Sequence, residues 1–89
     1  MEAHAGLFNA ESFENCILAN MPGTAEWAIG VVVLKCGNKP AARPGAGRGL
    51  FAKYPNGMDC FLDKGTKVES QTGKGLVFMS CSNLYDKPK

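Results

Sequence analysis

The stretch that decides the fold is NCILANMPG at residues 15–23, which has a counterpart, DCFLDKG, at residues 59–65. Each stretch places a cysteine and then apolar residues ahead of a glycine, a residue that favours the end of a helix. In each case a second cysteine lies 20 or 21 residues further along the chain. The recurrence concerns architecture and cellular compartment, and it points to no particular activity.

The order of these motifs predicts an internal repeat. Gly-Leu-Phe at residues 6–8 recurs at residues 49–51, and GVVVLKCGN at residues 30–38 aligns with GLVFMSCSN at residues 75–83. Glycine and proline are frequent between the two copies, which is typical of a linker. The 89 residues are therefore predicted to form a single domain, 1–89, with repeat one at about 6–37, a flexible basic linker at about 38–48 and repeat two at about 49–86.

Helix signals occur in both copies. Ser12 can cap a helix over residues 13–21, which Pro22-Gly23 would end. Thr24 can cap a second helix over residues 25–36, with Gly37 in the left-handed position that commonly follows a helix. Ser70 is a candidate cap in the second copy. Apolar residues follow helical spacing after the second and third of these caps: Ile29, Val32, Val33 and Cys36, and Val77, Phe78, Cys81, Leu84 and Tyr85.

Strand signals compete with this interpretation. Three consecutive valines have high β propensity, and Asn56-Gly57 is a strong hairpin signal. The counterpart of that dipeptide in the first copy is Ser12-Phe13-Glu14, which reads as a helix start. The predicted fold class is therefore all-α, with two disulfide-stapled helical hairpins packed as a small four-helix domain. The alternative is a small mixed α/β or β-rich domain with a hairpin at Asn56-Gly57.

The four cysteines fit this architecture as two staples. In a helical hairpin the start of the first helix and the end of the second are neighbours, so Cys16 is expected to pair with Cys36 and Cys60 with Cys81. Each closed loop would contribute about 3 kcal/mol through the unfolded state, a large share for so small a domain. The remaining alternatives are buried free thiols and a four-thiolate zinc site, although the chain has no C-x-x-C pair.

The apolar helix faces are too extensive to be buried within one hairpin, so the two hairpins are expected to pack on each other. The residues expected in this core are Phe13, Ile17, Leu18, Ile29, Val32 and Val33 in the first copy and Phe61, Leu62, Leu76, Val77, Phe78 and Leu84 in the second.

Disulfides imply an oxidising compartment, so the chain is predicted to be periplasmic or secreted. Ala3-His4-Ala5 has the form of a signal-peptidase site, which suggests that a signal peptide has been removed before about Gly6. The alternative is a cytoplasmic protein. No apolar run is long enough to span a bilayer, and a net charge of +2 does not by itself indicate nucleic acid or membrane as a partner.

The pattern S-F-E-N-C-I-L-x-N-M-P-G from Ser12, followed by an aliphatic segment that ends at Cys36, resembles small exported proteobacterial proteins with cysteine-bearing helical hairpins. The resemblance extends more loosely over residues 59–85, where Gly73, Gly75 and the run at residues 66–70 depart from a helical pattern. It implies helices, disulfides and export, and it implies no activity.

Catalytic signals are weak. The single histidine, His4, lies close to the start of the sequence and has no nucleophile beside it, and the carboxylates form no cluster typical of a metal or glycosidase site. We expect no enzyme activity, no cofactor and no metal site. The least explained surface is the basic linker and the aromatics after it, and the candidate partner-binding residues are Lys39, Arg43, Arg48, Phe51, Lys53 and Tyr54.

Together these observations predict a non-catalytic exported small protein that binds another protein, in the envelope or outside the cell. No small-molecule substrate is indicated, nucleic acid is an unlikely partner, and the oligomeric state is open. The alternative is a cytoplasmic phage or mobile-element protein with free thiols that acts as an inhibitor or binds nucleic acid.

Overall fold

The computed structural model describes residues 11–88, in which four helices and two short 3-10 turns occur and no strand occurs. The helices are α1 (Phe13–Asn20), α2 (Ile29–Cys36), α3 (Gly57–Lys64) and α4 (Gln71–Tyr85), and the 3-10 turns are Glu26–Ala28 and Gly65–Lys67. The predicted all-α class is confirmed. The β-hairpin alternative at Asn56-Gly57 is wrong, because Asn56 is the N-cap of α3.

Three helices begin at a polar side chain that accepts a hydrogen bond from a main-chain N–H three residues later. The Ser12 hydroxyl accepts from Asn15 over 3.0 Å, the Asn56 side-chain oxygen Oδ1 from Asp59 over 2.8 Å, and the Ser70 hydroxyl from Gly73 over 3.2 Å. Such caps satisfy N–H groups that have no partner within the helix. The caps predicted at Ser12 and Ser70 are confirmed. The cap at Asn56 was not predicted, because Asn56-Gly57 was interpreted as a hairpin signal.

The predicted cap at Thr24 is wrong. The Thr24 hydroxyl donates backwards to the Asn20 carbonyl, and the chain then forms the 3-10 turn before α2 begins at Ile29. Gly37 also differs from expectation, since its φ of −65° is right-handed. The left-handed glycine of this hairpin is Gly23, with φ of 80°, in the turn after α1.

Both predicted disulfides are present and account for all four cysteines. Cys16 is bonded to Cys36 and Cys60 to Cys81, with Cα atoms 5.6 Å apart in each pair. Each bridge joins the fourth residue of a hairpin's first helix to its second helix, so each hairpin is closed at the end opposite its turn. All four cysteines are fully buried.

Helix α4 is the centre of the domain, because it packs against both α1 and α3, whereas α2 packs on α1. Most residues expected in the core are buried or packed against it. Leu62 and Phe78 are exceptions, with exposed fractions of 58% and 48%. Met21 and Val68 are also buried, although neither was among the residues expected in the core. Met21 directly follows α1, and Val68 directly follows the second 3-10 turn.

The two hairpins share some features and differ in others. Helices α1 and α3 both have eight residues, and in each the N-cap residue lies four positions before the cysteine. Helix α2 has eight residues and ends at Cys36, whereas α4 has fifteen and continues four residues beyond Cys81. The first matching block, residues 6–8, lies outside the described residues. An origin of the two halves by duplication stays a prediction.

Candidate functional site

Residues 38–56, here called the strap, connect α2 to α3 without helix or strand. Composition predicted a flexible linker over 38–48, and the structure attaches that range to α1 and α4 by main-chain hydrogen bonds. These bonds run from the Phe13 N–H to the Pro40 carbonyl (2.9 Å), from the Gly45 N–H to the Asn83 carbonyl (2.6 Å) and from the Gly47 N–H to the Leu84 carbonyl (2.8 Å). The strap thus follows the surface of the helices that it crosses.

The strap acts as the C-terminal cap of α4. The last carbonyls of a helix have no partner within the helix, and here the strap supplies donors to those of Asn83 and Leu84. The Arg48 guanidinium donates to the next carbonyl, that of Tyr85, over 2.9 Å. A cation at a helix C-terminus also complements the helix dipole. A segment that lacks regular structure therefore completes the longest helix of the domain.

Glu14 joins the strap to both hairpins. Its side chain is buried, with 7% exposed. One carboxylate oxygen accepts from the Ala42 N–H over 2.7 Å, and the other accepts from the Asn83 side-chain amide over 2.8 Å. The same amide donates to the Ala42 carbonyl over 3.0 Å. A carboxylate that the sequence suggested as a helix-start charge is thus also the polar connection between α1, the strap and α4.

The six candidate partner-binding residues divide into two groups. Lys39 lies 3.6 Å from the Glu11 carboxylate, Arg48 caps α4, and the Tyr54 hydroxyl donates to the Asp63 carboxylate. These three residues have structural contacts. Arg43, Phe51 and Lys53 are exposed.

The tip of the strap presents two large apolar side chains to solvent. Leu50 is 91% exposed and its neighbour Phe51 is 93% exposed. The residue before them, Gly49, has φ of 138°, in a region open essentially only to glycine. Sequence reasoning selected Phe51 but missed Leu50, which the repeat comparison had treated only as part of a matching Gly-Leu-Phe block.

Tyr54 anchors the strap on the side of α3. Its ring lies edge-on to that of Tyr85, with centroids 5.2 Å apart. Burial and the hydrogen bond to Asp63 raise the pKa of Tyr54 to about 12. The same hydrogen bond, with a second from Lys67, lowers the pKa of Asp63. These displaced pKa values are explained by the anchoring contact itself, so they do not by themselves indicate a reactive site.

A second exposed apolar surface lies on the outer side of α2. Trp27, Val31 and Leu34 are 85%, 60% and 81% exposed. They are spaced i, i+4 and i+7, so they share one side of the segment, opposite the buried Ile29 and Val32. The sequence prediction used only the buried residues of this segment. The helical spacing of Trp27, Val31 and Leu34 was the signal that could have revealed an apolar outer face.

An open groove of about 510 Å³ runs between α1, the strap and α4. This α1–α4 groove is mainly apolar, and its polar groups are Glu14, Ser80, Ser82 and Asn83. Its apolar walls are Phe13, Ala41, Ala42, Pro44, Phe78 and Met79. Phe78 is more exposed than its helical spacing suggested because it borders this groove.

Residues 11–88 contain neither a clustered metal-ligand set nor a helix suited to cross a bilayer. No group of three or more His, Cys, Asp or Glu side chains in this range is arranged to hold a metal ion. None of the helices there combines the length and apolar character that a bilayer-spanning segment requires.

Comparison of the chain with protein-family models, with curated proteins and with solved structures finds no match. Two intramolecular disulfides indicate an oxidising, extracytoplasmic compartment.

Proposed function

We propose that this chain is a non-catalytic binding module of the periplasm or the cell exterior, and that it binds another protein through the tip of the strap. The observation that carries the proposal is the exposure of Leu50 and Phe51, at 91% and 93%. Burying a side chain of this size in an interface yields about 1.5–3 kcal/mol, so the tip offers a compact source of affinity.

The tip is held in place on both sides, which reduces the ordering cost of binding. Arg48, two residues before Leu50, is bonded to the end of α4, and Tyr54, three residues after Phe51, is bonded to Asp63 on α3. Only residues 49–53 lie between these anchors. A short loop that is fixed at both ends loses little conformational freedom when a partner binds it.

The charge next to the tip indicates the kind of protein that would bind. Arg43 and Lys53 are exposed, and Lys53 lies two residues after Phe51. The five basic residues between positions 35 and 53 have no acidic residue among them. A partner with an apolar pocket bordered by carboxylates would complement this arrangement, and the charges would mainly increase the association rate. Export, with a signal peptide removed before about Gly6, accords with the disulfides.

The experiment uses a photoreactive amino acid at position 51 of the full chain, produced in the source organism, with the same amino acid at the exposed Thr72 of α4 as the matched control. We expect a protein cross-link from position 51 that is absent from position 72. In a second arm, Leu50→Ser should abolish that cross-link. The same substitution at an exposed leucine of α3, Leu62→Ser, should leave it intact. Equal cross-linking from both positions, or none from position 51, contradicts the proposal.

A further inference from the structure

The α1–α4 groove combines apolar walls with a single formal charge. Glu14 is the one carboxylate among the residues that line it, and none of those residues is basic. Within residues 11–88, the ion pairs formed by lysine or arginine involve Glu11 and Asp63 and do not involve Glu14. The two groups that donate to Glu14, the Ala42 N–H and the Asn83 amide, are neutral. The groove therefore carries negative charge that no described side chain neutralises.

The Glu14 carboxylate keeps capacity to accept further hydrogen bonds. Two carboxylate oxygens offer about four lone-pair sites, and the two described bonds occupy one on each oxygen. With 7% of the residue exposed, the charge lies in surroundings where the effective dielectric constant is below that of water. An incoming cation is attracted more strongly there than it would be by a carboxylate on the open surface.

Ser80 supplies an independent observation. It lines the same groove and is 1% exposed, yet its hydroxyl oxygen has no hydrogen-bond partner within the described part of the chain. A buried hydroxyl without a partner is destabilising relative to one that is bonded. A ligand that brings an N–H donor into the groove would satisfy it once the neighbouring side chains move enough to expose the oxygen, which is buried in the free chain.

The walls suit a cation that is carried on an apolar stem. Phe13 and Phe78 both border the groove, and aromatic faces attract ammonium and guanidinium groups. Met79 and Pro44 offer apolar surface against which an alkyl chain can lie, as the stems of lysine and arginine do on other proteins.

From these contacts we infer that the α1–α4 groove binds a basic side chain, lysine or arginine, from a segment of the partner protein, with the cation at Glu14 and Ser80 and the stem against Phe78 and Met79. The inference rests on the proposed function, since it takes the partner to be a protein. It gives the chain a second binding surface in addition to the strap tip, and it specifies a basic side chain as the group that this surface binds.

The test titrates the isolated, disulfide-bonded full chain with short peptides while its backbone amides are followed by NMR. Four acetylated and amidated pentapeptides are compared, each with four alanines around one central residue: lysine, arginine, norleucine or glutamate. We expect the lysine or arginine peptide to shift the amides of Ala42, Met79 and Asn83 and to bind about tenfold tighter than the norleucine peptide, because its hydrogen bonds are charge-assisted. The glutamate peptide should not bind, and added salt should weaken the basic peptides.

Matched variants locate the site. Met79→Ser should weaken the basic peptide, whereas Met58→Ser, at an exposed methionine of α3 away from the groove, should not. Ser80→Ala should weaken it about threefold to tenfold, as expected for one hydrogen bond. The comparison of lysine with norleucine tests the charge without altering Glu14, whose replacement could loosen the strap.

Three results would overturn the inference. The first is equal affinity for the lysine and norleucine peptides, which would make the groove merely apolar. The second is a set of shifted amides that lie outside the groove. The third is a set of contacts between residues 2–10 and the groove in the free protein, which would assign the groove to the chain's own N-terminal segment. None of these would alter the cross-linking result at position 51, which depends on other residues and another readout.

Discussion

Glu14 and Asn83 are 69 positions apart in the chain, and the Asn83 side-chain amide donates a hydrogen bond to the Glu14 carboxylate over 2.8 Å. Glu14 belongs to the first hairpin and Asn83 to the second. Among the described residues the bond is one of the few polar links between the two hairpins, and both side chains also bond to Ala42 of the strap. The position of one hairpin against the other thus depends in part on a half-buried amide, a buried carboxylate and one main-chain N–H.

Replacing Asn83 should test this link directly. Asn83→Ala leaves one oxygen of a buried carboxylate without its donor and removes a bond to the Ala42 carbonyl. We expect the free energy of unfolding to fall by about 1–3 kcal/mol. Urea denaturation followed by circular dichroism measures this change. Asn38→Ala, at an exposed position of the strap, is the control and should change stability by less than about 0.5 kcal/mol.

The two disulfides should contribute similarly to stability. They close loops of 20 and 21 residues, and the loop-closure account gives about 3 kcal/mol for each. The double variants C16A with C36A and C60A with C81A should therefore lower the midpoint of urea denaturation by similar amounts. If only one pair were stabilising, the loop-closure account would fail here. Mass spectrometry of the oxidised chain should show only peptides linked 16 to 36 and 60 to 81.

Two glycines should respond in opposite directions to alanine. A Cβ at Gly47 would lie 2.7 Å from the Tyr85 ring and 3.1 Å from the Leu84 carbonyl oxygen. Gly47→Ala should therefore push the strap away from the end of α4 and lower stability by about 1–3 kcal/mol. A Cβ at Gly75, inside α4, would meet nothing within 4 Å. Gly75→Ala should raise stability by about 0.5–1 kcal/mol because alanine favours the helix. Thermal unfolding of both variants measures the two changes in stability. An increase in the stability of G47A would contradict the described position of the strap.

Alkaline pH should weaken the fold through Tyr54. Its pKa rises to about 12 in the folded chain from an ordinary value of 10.0, chiefly through burial and then through its bond to Asp63. A group whose pKa is raised on folding contributes stability that is fully present below its unfolded pKa. That contribution should be lost between pH 10 and about pH 12, as the unfolded chain alone releases the proton.

Spectroscopic titration checks the alkaline prediction. The chain has two tyrosines, and burial raises the pKa of Tyr85 as well, so neither should ionise at the ordinary tyrosine pKa while the chain is folded. In Tyr54→Phe the tyrosinate step at about pH 12 should disappear, and the pKa of Asp63 should return towards its ordinary value because the hydrogen bond from Tyr54 is gone. An ordinary pKa for both tyrosines in the folded protein would be inconsistent with these contacts.

The helices and the disulfide pairing could be predicted because their signals are local. Ser12 lies next to an apolar run and four residues before Cys16, so cap, helix and cysteine position follow from spacing alone. The repeat then decided between helix and hairpin at Asn56, whose side chain can serve either structure. Phe78 was placed wrongly because neighbouring helical residues differ by about 100° in direction, and Val77 occupies the side that faces the core.

The candidate site could be predicted only in part, because its contacts are not local. The sequence does not indicate which acceptors the main-chain N–H groups of Ala42, Gly45 and Gly47 bond to, because every residue except proline has such a group. A composition rich in glycine and proline is also the same for a tethered segment and a free one. The partnership of Glu14 with Asn83 spans most of the chain. Phe51 could be selected from composition, whereas its exposure depended on where Arg48 and Tyr54 anchor the strap.

Each disulfide is confined to its own hairpin, and this has a consequence for the chain as a whole. A single cut at the strap tip, between Leu50 and Phe51, would leave two fragments, each closed by its own disulfide, with no covalent bond between them. Within the described residues they would be held by packing of α1 on α4, by the hydrogen bonds that Glu14, Asn83 and the strap form across the cut, and by the bond from the Gly23 N–H to the Lys67 carbonyl. The protein is therefore suited to be split and reconstituted from two separately made pieces, whose affinity for one another would measure the strength of the interface between the hairpins.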